Sequence, residues 1–321
     1  MTAYVGRRLA QACVVMVVVI VFNFVLLHMV PGDLVDVLAG QANMDADQMQ
    51  VLRERYGLDQ PVIVQFGTYL FNLAHFDLCY SPVLAAPVST IILERLPVTG
   101  LLVGLSVLLS LFVGSLVGVT AARLRGTVFD TAISVLVLLF YATPMFLAGL
   151  LLILIFSVKL HLLPIAGFAT PGAGSGVWSL TLDVARHLIM PVASLSLFYV
   201  ALYARLGRAS MIEALGQDYV RTARAKGLTR RRTVYVHALR NALLPLVTMA
   251  GLQVSAMLGG AVLIESVFSL PGLGRTALDA VLQRDVNLLL GVLLVASAVV
   301  VAINLIVDLL YVVLDPRIEL A

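Results

Sequence analysis

The stretch Asp218-Tyr-Val-Arg-Thr-Ala-Arg-Ala-Lys-Gly-Leu228 sits on a basic segment between two apolar runs. Helical periodicity over 215–226 places Leu215, Tyr219, Thr222 and Ala223 on one side and Arg221 and Arg224 opposite. Gly227 supplies a helix stop, and Lys226 favours the negative end of the helix dipole. Thr229-Arg-Arg-Arg232 follows, then a second helical run, 234–244, that leads into the next apolar stretch. A short helix held between two others can lie in a groove on a soluble partner. Small Ala223 and Ala225 allow close approach there, and the arginines can grip carboxylates bidentately. The charge taken alone has a plainer reading, a basic cytoplasmic segment touching anionic lipid. The helix–glycine–helix order favours the partner.

Working outward, composition decides the solvent. Of 321 residues, 61% are hydrophobic and 12% charged, and the mean hydropathy is +1.03. A soluble core cannot absorb so much apolar surface, whereas runs of about 18 or more apolar residues mark bilayer-spanning helices. Six spans are expected, at 9–30, 100–122, 131–158, 188–206, 243–264 and 288–314. Each can cross about 30 Å of hydrocarbon at roughly 1.5 Å per residue. Helices are required because backbone groups in lipid must be satisfied within the segment. Pro144 and Pro245 predict kinks in the third and fifth spans. The first run is too long for a signal-peptide core and ends in Pro31-Gly32-Asp33 without a small-residue cleavage site, so it reads as a retained span.

Fourteen of the 21 Lys and Arg fall on the side holding both termini and the 205–240 segment, which predicts cytoplasmic termini. The organisation expected is a tail and first span over 1–30, a long outer segment over 31–97, and a five-span core over 98–321 carrying the cytoplasmic segment 207–242. The outer segment should hold short helices at 44–56 and 62–74, packed on the outer membrane surface. The 161–186 loop, with Pro171-Gly-Ala-Gly-Ser-Gly176, reads as flexible, and Ser269-Leu-Pro-Gly-Leu-Gly274 reads as a tight turn within 265–287.

Reactive chemistry is scarce. No Gly-x-x-x-x-Gly-Lys-[Ser/Thr] phosphate cradle occurs, and the five histidines show no metal-ligand spacing. Cys13 and Cys79 are too far apart in this topology to pair. Asn304 and Asp308 share a face of the last span; a structural contact is the expected role, because no second buried acid is evident for a proton relay. Gln253 and Ser255, near Gly259 and Gly260, either line a pathway or mediate helix packing. Gly114 and Gly118 have the spacing that lets helices approach closely, a spacing common by chance. A gradient-driven transporter working alone and an intramembrane enzyme are the rival classes, and the residues favour neither.

At Ala223-Arg-Ala-Lys-Gly227 and His237-Ala-Leu-Arg-Asn-Ala-Leu-Leu-Pro245 the chain resembles the cytoplasmic loop of binding-protein-dependent ABC importer permeases. That pattern opens Glu-Ala-Ala-x-x-x-Gly and closes Ile-x-Leu-Pro. Here Arg221 stands in the place of the Glu, Thr222 and Ala223 follow, Gly227 fits, and the proline is displaced to Pro245. These departures resemble the dipeptide/oligopeptide/nickel branch. The likeness runs along the chain through Arg7-Arg8-Leu9, Val30-Pro-Gly-Asp33, Leu52-Arg-Glu-Arg-Tyr-Gly-Leu-Asp-Gln-Pro61, Leu258-Gly-Gly-Ala261 with Glu265, Pro271-Gly-Leu-Gly274 and Asp315-Pro-Arg317. Phe76-Asp-Leu-Cys-Tyr-Ser81 departs from it, since relatives usually carry glycines there.

The resemblance implies an all-α, six-span subunit with the type I importer permease fold, in a bacterial inner membrane. It implies peptides as cargo, a homologous permease subunit as heterodimer partner, two cytosolic ABC ATPases and an extracytoplasmic substrate-binding protein. ATP and Mg would be bound by the ATPases and no cofactor by this chain; lipid is a partner and nucleic acid is not. Tyr219, Thr222, Ala223, Ala225, Gly227 and Leu228 match the part that docks on the ATPase, and Asp218, Arg221, Arg224 and Lys226 extend it. Gln253, Ser255, Gly259 and Gly260 are the pathway candidates. Ser269, Pro271, Gly272 and Gly274 are the candidates for meeting the binding protein.

Overall fold

A computed structural model of the chain describes residues 2–29, 49–50, 59–172, 176–229 and 232–314, with side chains over 6–308 of these. Most of the expected helix 44–56 and all of Val30–Asp33, 52–58, 173–175, Arg230, Arg231 and 315–317 lie outside the described residues. The chain divides into two compact units, 1–96 with 276–305, and 97–275 with 306–321.

In the first unit, α1 (Thr2–Met29) and α2 (Val62–Ala74) meet through rings. Phe24 packs edge-on to Phe66 at 4.9 Å, and one His28 ring nitrogen lies 3.1 Å from Gln65 Oε1. Strands β1 (Tyr80–Ser81) and β2 (Ala86–Pro87) pair antiparallel, Tyr80 opposite Pro87. The Ser81 hydroxyl donates to buried Asp285, whose other oxygen accepts from the Leu288 N–H at 3.1 Å and so caps α9 (Val286–Leu314). Phe76 and Cys79 take φ of 57° and 67°. Left-handed backbone costs roughly 1 kcal/mol or more for a residue with a Cβ, so glycine would fit these two positions with less strain.

The second unit is built on α6 (Val177–Gly216), whose apolar window is 72% buried, against 39% for α3 (Val88–Arg123) and 28% for Thr233–Val267. Around α6 pack α4 (Val128–Ala142), α5 (Met145–Leu152) with its π-type extension Ile153–Lys159, and α8 (Leu239–Val267). Leu102, Leu195, Tyr203, Met257, Ile264 and Phe268 form the centre of the core. The spacing of Gly114 and Gly118 is used. A Cβ on Gly114 would lie 2.6 Å from Tyr203 Cβ, and one on Gly118 would lie 2.6 Å from the Ala204 carbonyl oxygen. With no Cβ on either, α3 and α6 cross almost backbone to backbone.

Among the described residues five helices are long and apolar enough to cross a membrane, and the third expected span is the exception. It is two helices, Val128–Ala142 and Met145–Lys159, bent by 102°. The kink expected at Pro144 is therefore a full break. Proline disfavours the helical conformation in the residue before it, and Thr143 accordingly lies at φ −81°, ψ 122°. Its N–H and hydroxyl both return to the Leu139 carbonyl, closing α4. By contrast, α8 continues through Pro245 as one helix.

The 161–186 segment also differs from expectation, because its last ten residues already belong to α6. Two of its described residues ahead of α6 are tied down: the Gly167 N–H donates to the Phe268 carbonyl at 2.8 Å, and Thr170 donates through N–H and hydroxyl to Asp183. Gly118→Leu should therefore prevent the α3–α6 crossing. We expect a loss of at least ~3 kcal/mol, seen as a sharply lowered melting midpoint in detergent, while Gly100→Leu, facing open space, should be tolerated.

Candidate functional site

Helix α6 ends at Gly216, Gln217 is extended at φ −73°, ψ 153°, and α7 (Asp218–Ala225) begins afresh. That break resets the helical phase. Leu215 belongs to α6, so the face grouped from continuous periodicity over 215–226 is corrected. The inward residues are Val220 and Ala223, at 0% and 6% exposure, packed among Val119, Met211, Ala214, Val234 and Ala238. Tyr219 and Thr222 face outward with Asp218, Arg221, Arg224, Ala225, Lys226 and Gly227, while Leu228 is half-buried. Ala223 thus brings α7 close to its own chain, and Ala225 is the small residue left on the outside.

The stop at Gly227 is complete. Its φ is +76°, its N–H donates to the Arg224 carbonyl at 2.9 Å, and the Leu228 N–H reaches back to Ala223 at 3.3 Å. This pair of bonds is the Schellman arrangement, and it satisfies carbonyls that a helix end otherwise leaves open. Beyond it, the π-type turn Thr233–Ala238 is held to the end of α3: Arg123 donates to the Tyr235 hydroxyl and lies 5.4 Å from the centre of its ring. The exposed Arg221–Asp218 pair at 3.4 Å adds little.

Besides Asp285, two buried carboxyl groups make contacts that the sequence reading did not anticipate. Asp130, 6% exposed, accepts from Arg208 Nε and from one of its terminal nitrogens, both at 2.8 Å, and joins the start of α4 to α6. Thr127 caps that helix, its oxygen accepting from the Asp130 N–H. The Thr-x-x-Asp spacing at 127–130 was the available signal.

The second is Glu265, which has no exposed surface. Thr99 donates to one oxygen at 2.6 Å, the Arg275 N–H to the other at 2.9 Å, and the Leu273 N–H donates to Thr99 at 2.8 Å. A Cβ on Gly272 would lie 2.3 Å from the Glu265 carboxyl carbon, and one on Gly274 would lie 2.8 Å from Val262 Cα. The Leu-Pro-Gly-Leu-Gly turn thus folds back over the carboxyl group, and both glycines are needed for the fit. The expectation that the spans bury no second acid is corrected. The fifth helix runs three residues past 264 and takes Glu265 with it.

The outer-turn candidates divide. Ser269 is exposed at φ 53°, Pro271 and Gly274 are half-buried, and Gly272 is buried. The pathway candidates all lie on α8. Gln253 and Ser255 are half-buried, Gly259 is exposed with open space above it, and a Cβ on Gly260 would meet Leu195 and Met145 at 3.4–3.5 Å. Among the described residues no group of three His, Cys, Asp or Glu could hold a metal. What the arrangement offers is mechanical: a short helix fixed at both ends to the packed spans, with a polar face outward.

Comparison with known proteins agrees over the whole chain. Residues 114–320 match the family model described as binding-protein-dependent transport system inner membrane component, and residues 1–103 match that of its N-terminal part. A putative peptide transport system permease protein of Brucella abortus (strain 2308) is 42% identical over 319 residues, covering 99% of each chain. The dipeptide transport system permease protein DppB of Escherichia coli (strain K12) is 38% identical over 336 residues, again covering 99% of each. A chain of the MetNI methionine ABC transporter, solved in inward-facing conformations, covers 70% of this chain and 96% of its own length, with a TM-score of 0.56 at 18% identity. That likeness speaks to the fold, which is the type I importer permease fold expected.

Removing the Glu265 carboxyl group strands Thr99 and a backbone N–H in a dry site, at roughly 1–3 kcal/mol per unpaired group. Gly227→Ala costs only left-handed strain, about 1 kcal/mol, because a Cβ there meets open space. Detergent melting should therefore fall most for Glu265→Leu, less for Glu265→Gln and least for Gly227→Ala.

Proposed function

The chain belongs to the family of binding-protein-dependent transport system inner membrane components, and from that premise we propose that it forms half of the translocation pathway of an ATP-driven peptide importer. The observation that carries the reading is the outward face of α7, Asp218 to Lys226, set at the end of the most buried helix of its unit. The end-to-end similarity to a dipeptide permease supports peptides, di- or oligopeptides, as the cargo.

In this reading both termini and α7 lie in the cytoplasm. A homologous permease subunit completes the cavity, and two cytosolic ATPases, which bind the ATP and Mg, grip α7 and its counterpart. ATP binding closes the ATPase pair and draws the two handles together. Because Val220 and Ala223 are packed against α3 and α6, movement of the handle passes to the spans instead of dissipating in a loop. The cavity opens outward and accepts peptide from the binding protein, and hydrolysis returns it inward. Gln253, Ser255, Gly259 and Gly260 are assigned to the pathway, with this chain supplying one wall. Ser269 with Pro271, Gly272 and Gly274 is assigned to the surface met by the binding protein, its turn stiffened from behind by Glu265.

Ala225→Glu and Arg224→Glu change the outer face of α7 without entering the Val220–Ala223 packing. Either should reduce co-purification of the ATPase roughly tenfold or more, given the cost of mismatched charge at an interface, with membrane insertion intact. Unchanged co-purification in both would overturn the docking assignment.

A further inference from the structure

Between α3, α4 and α6 runs a cavity of about 460 Å³ whose wall is almost wholly apolar, with Leu109, Leu116, Leu136 and Phe140 among its lining. Beside it lies a second cavity of about 350 Å³, which shares Val117, Ile133 and Val137 with the first and ends on Ser134, Arg205 and Arg208. Together they make one groove, greasy along its length and basic at one end. Arg208 is already neutralised by Asp130. Arg205 is exposed, stacks over the Tyr141 ring at 5.4 Å, and has no carboxylate partner among the described residues. The charge at the mouth is therefore carried by Arg205.

The dimensions favour a particular occupant. From Arg205 to Ala193, which lines the far cavity, is twelve residues of α6, about 18 Å of helix at ~1.5 Å per residue. One leaflet of hydrocarbon is about half of ~30 Å. A cation at the mouth, a wall of aliphatic side chains and the depth of a single leaflet together match a lipid acyl chain under an anionic headgroup. A soluble peptide segment would need hydrogen-bonding groups along the wall, and the longer cavity is lined by few.

We propose that this groove holds an acyl chain of one anionic phospholipid from the inner leaflet, its phosphate set against Arg205. The site would hold lipid between α4 and the α3–α6 crossing, the elements that carry α7. From the functional reading it takes only the orientation, with the 205–208 end on the cytoplasmic side.

The test is lipid retention by the full chain, purified with whatever assembles with it, in nanodiscs of phosphatidylcholine with and without phosphatidylglycerol, read by native mass spectrometry. The wild type should retain phosphatidylglycerol in preference to phosphatidylcholine. Arg205→Ala should cut that preference about fivefold, which corresponds to ~1 kcal/mol for one basic residue against anionic lipid. Leu116→Trp should abolish retention of either lipid by filling the groove, and Arg125→Ala, outside it, should change nothing. The proposal is overturned if the wild type shows no preference, or if Arg125→Ala acts as strongly as Arg205→Ala. It is equally overturned if Leu136→Cys cross-links to a protein helix in native membranes. Retention is measured without transport, so an inactive importer that keeps its lipid would count against the functional reading alone.

Discussion

Much of the second unit rests on the approach of α3 to α6 at Gly114, Gly118 and Gly207. A Cβ at either of the first two would overlap α6, and one on Gly207 would press on Leu246 of α8 at 3.3 Å. In lipid there is no hydrophobic force to drive helices together, so association depends on packing and on polar contacts that find no substitute in the solvent. Three small residues provide the first. The Asp130–Arg208 pair, its arginine next in sequence to Gly207, provides the second and binds the broken third span to the same helix.

The same crossing sets the position of the handle. Val119 and Ala122, on the last turns of α3, and Met211 and Ala214, on the last turns of α6, form the floor on which Val220 and Ala223 sit. Only with these two helix ends close together is that floor complete. The glycine stop at 227 and the Arg123–Tyr235 contact then hold the far side. Built this way, α7 is packed as one body with the ends of α3 and α6. At the other end of α8, Glu265 does for the 269–274 turn what buried packing does for α7. It takes donors from Thr99 and Arg275 in a space that the absence of two side chains leaves open.

Apolar period and length were enough to place the spans, and the Gly227 stop was legible because only a residue without a Cβ is comfortable at φ +76°. The kink expected at Pro144 is present as a full break, whereas Pro97 and Pro245 stand inside continuous helices. The inward face of α7 was misassigned because periodicity was carried across Gly216, where the chain changes direction. The buried carboxyl groups were missed for a related reason: their partners are distant in sequence, with Thr99 lying 166 residues from Glu265 and Arg208 lying 78 from Asp130. A local pattern shows that an acid stands at a helix end; only the fold shows what it meets.

In the proposed role this polypeptide is a gate without a motor of its own. The most direct measurement is accumulation of a labelled dipeptide in proteoliposomes, supplied with binding protein and containing either the chain alone or the chain with its co-purifying subunits. Accumulation that requires both those subunits and hydrolysable ATP is the predicted result. Uphill accumulation by the chain alone, driven by an ion gradient, would contradict it.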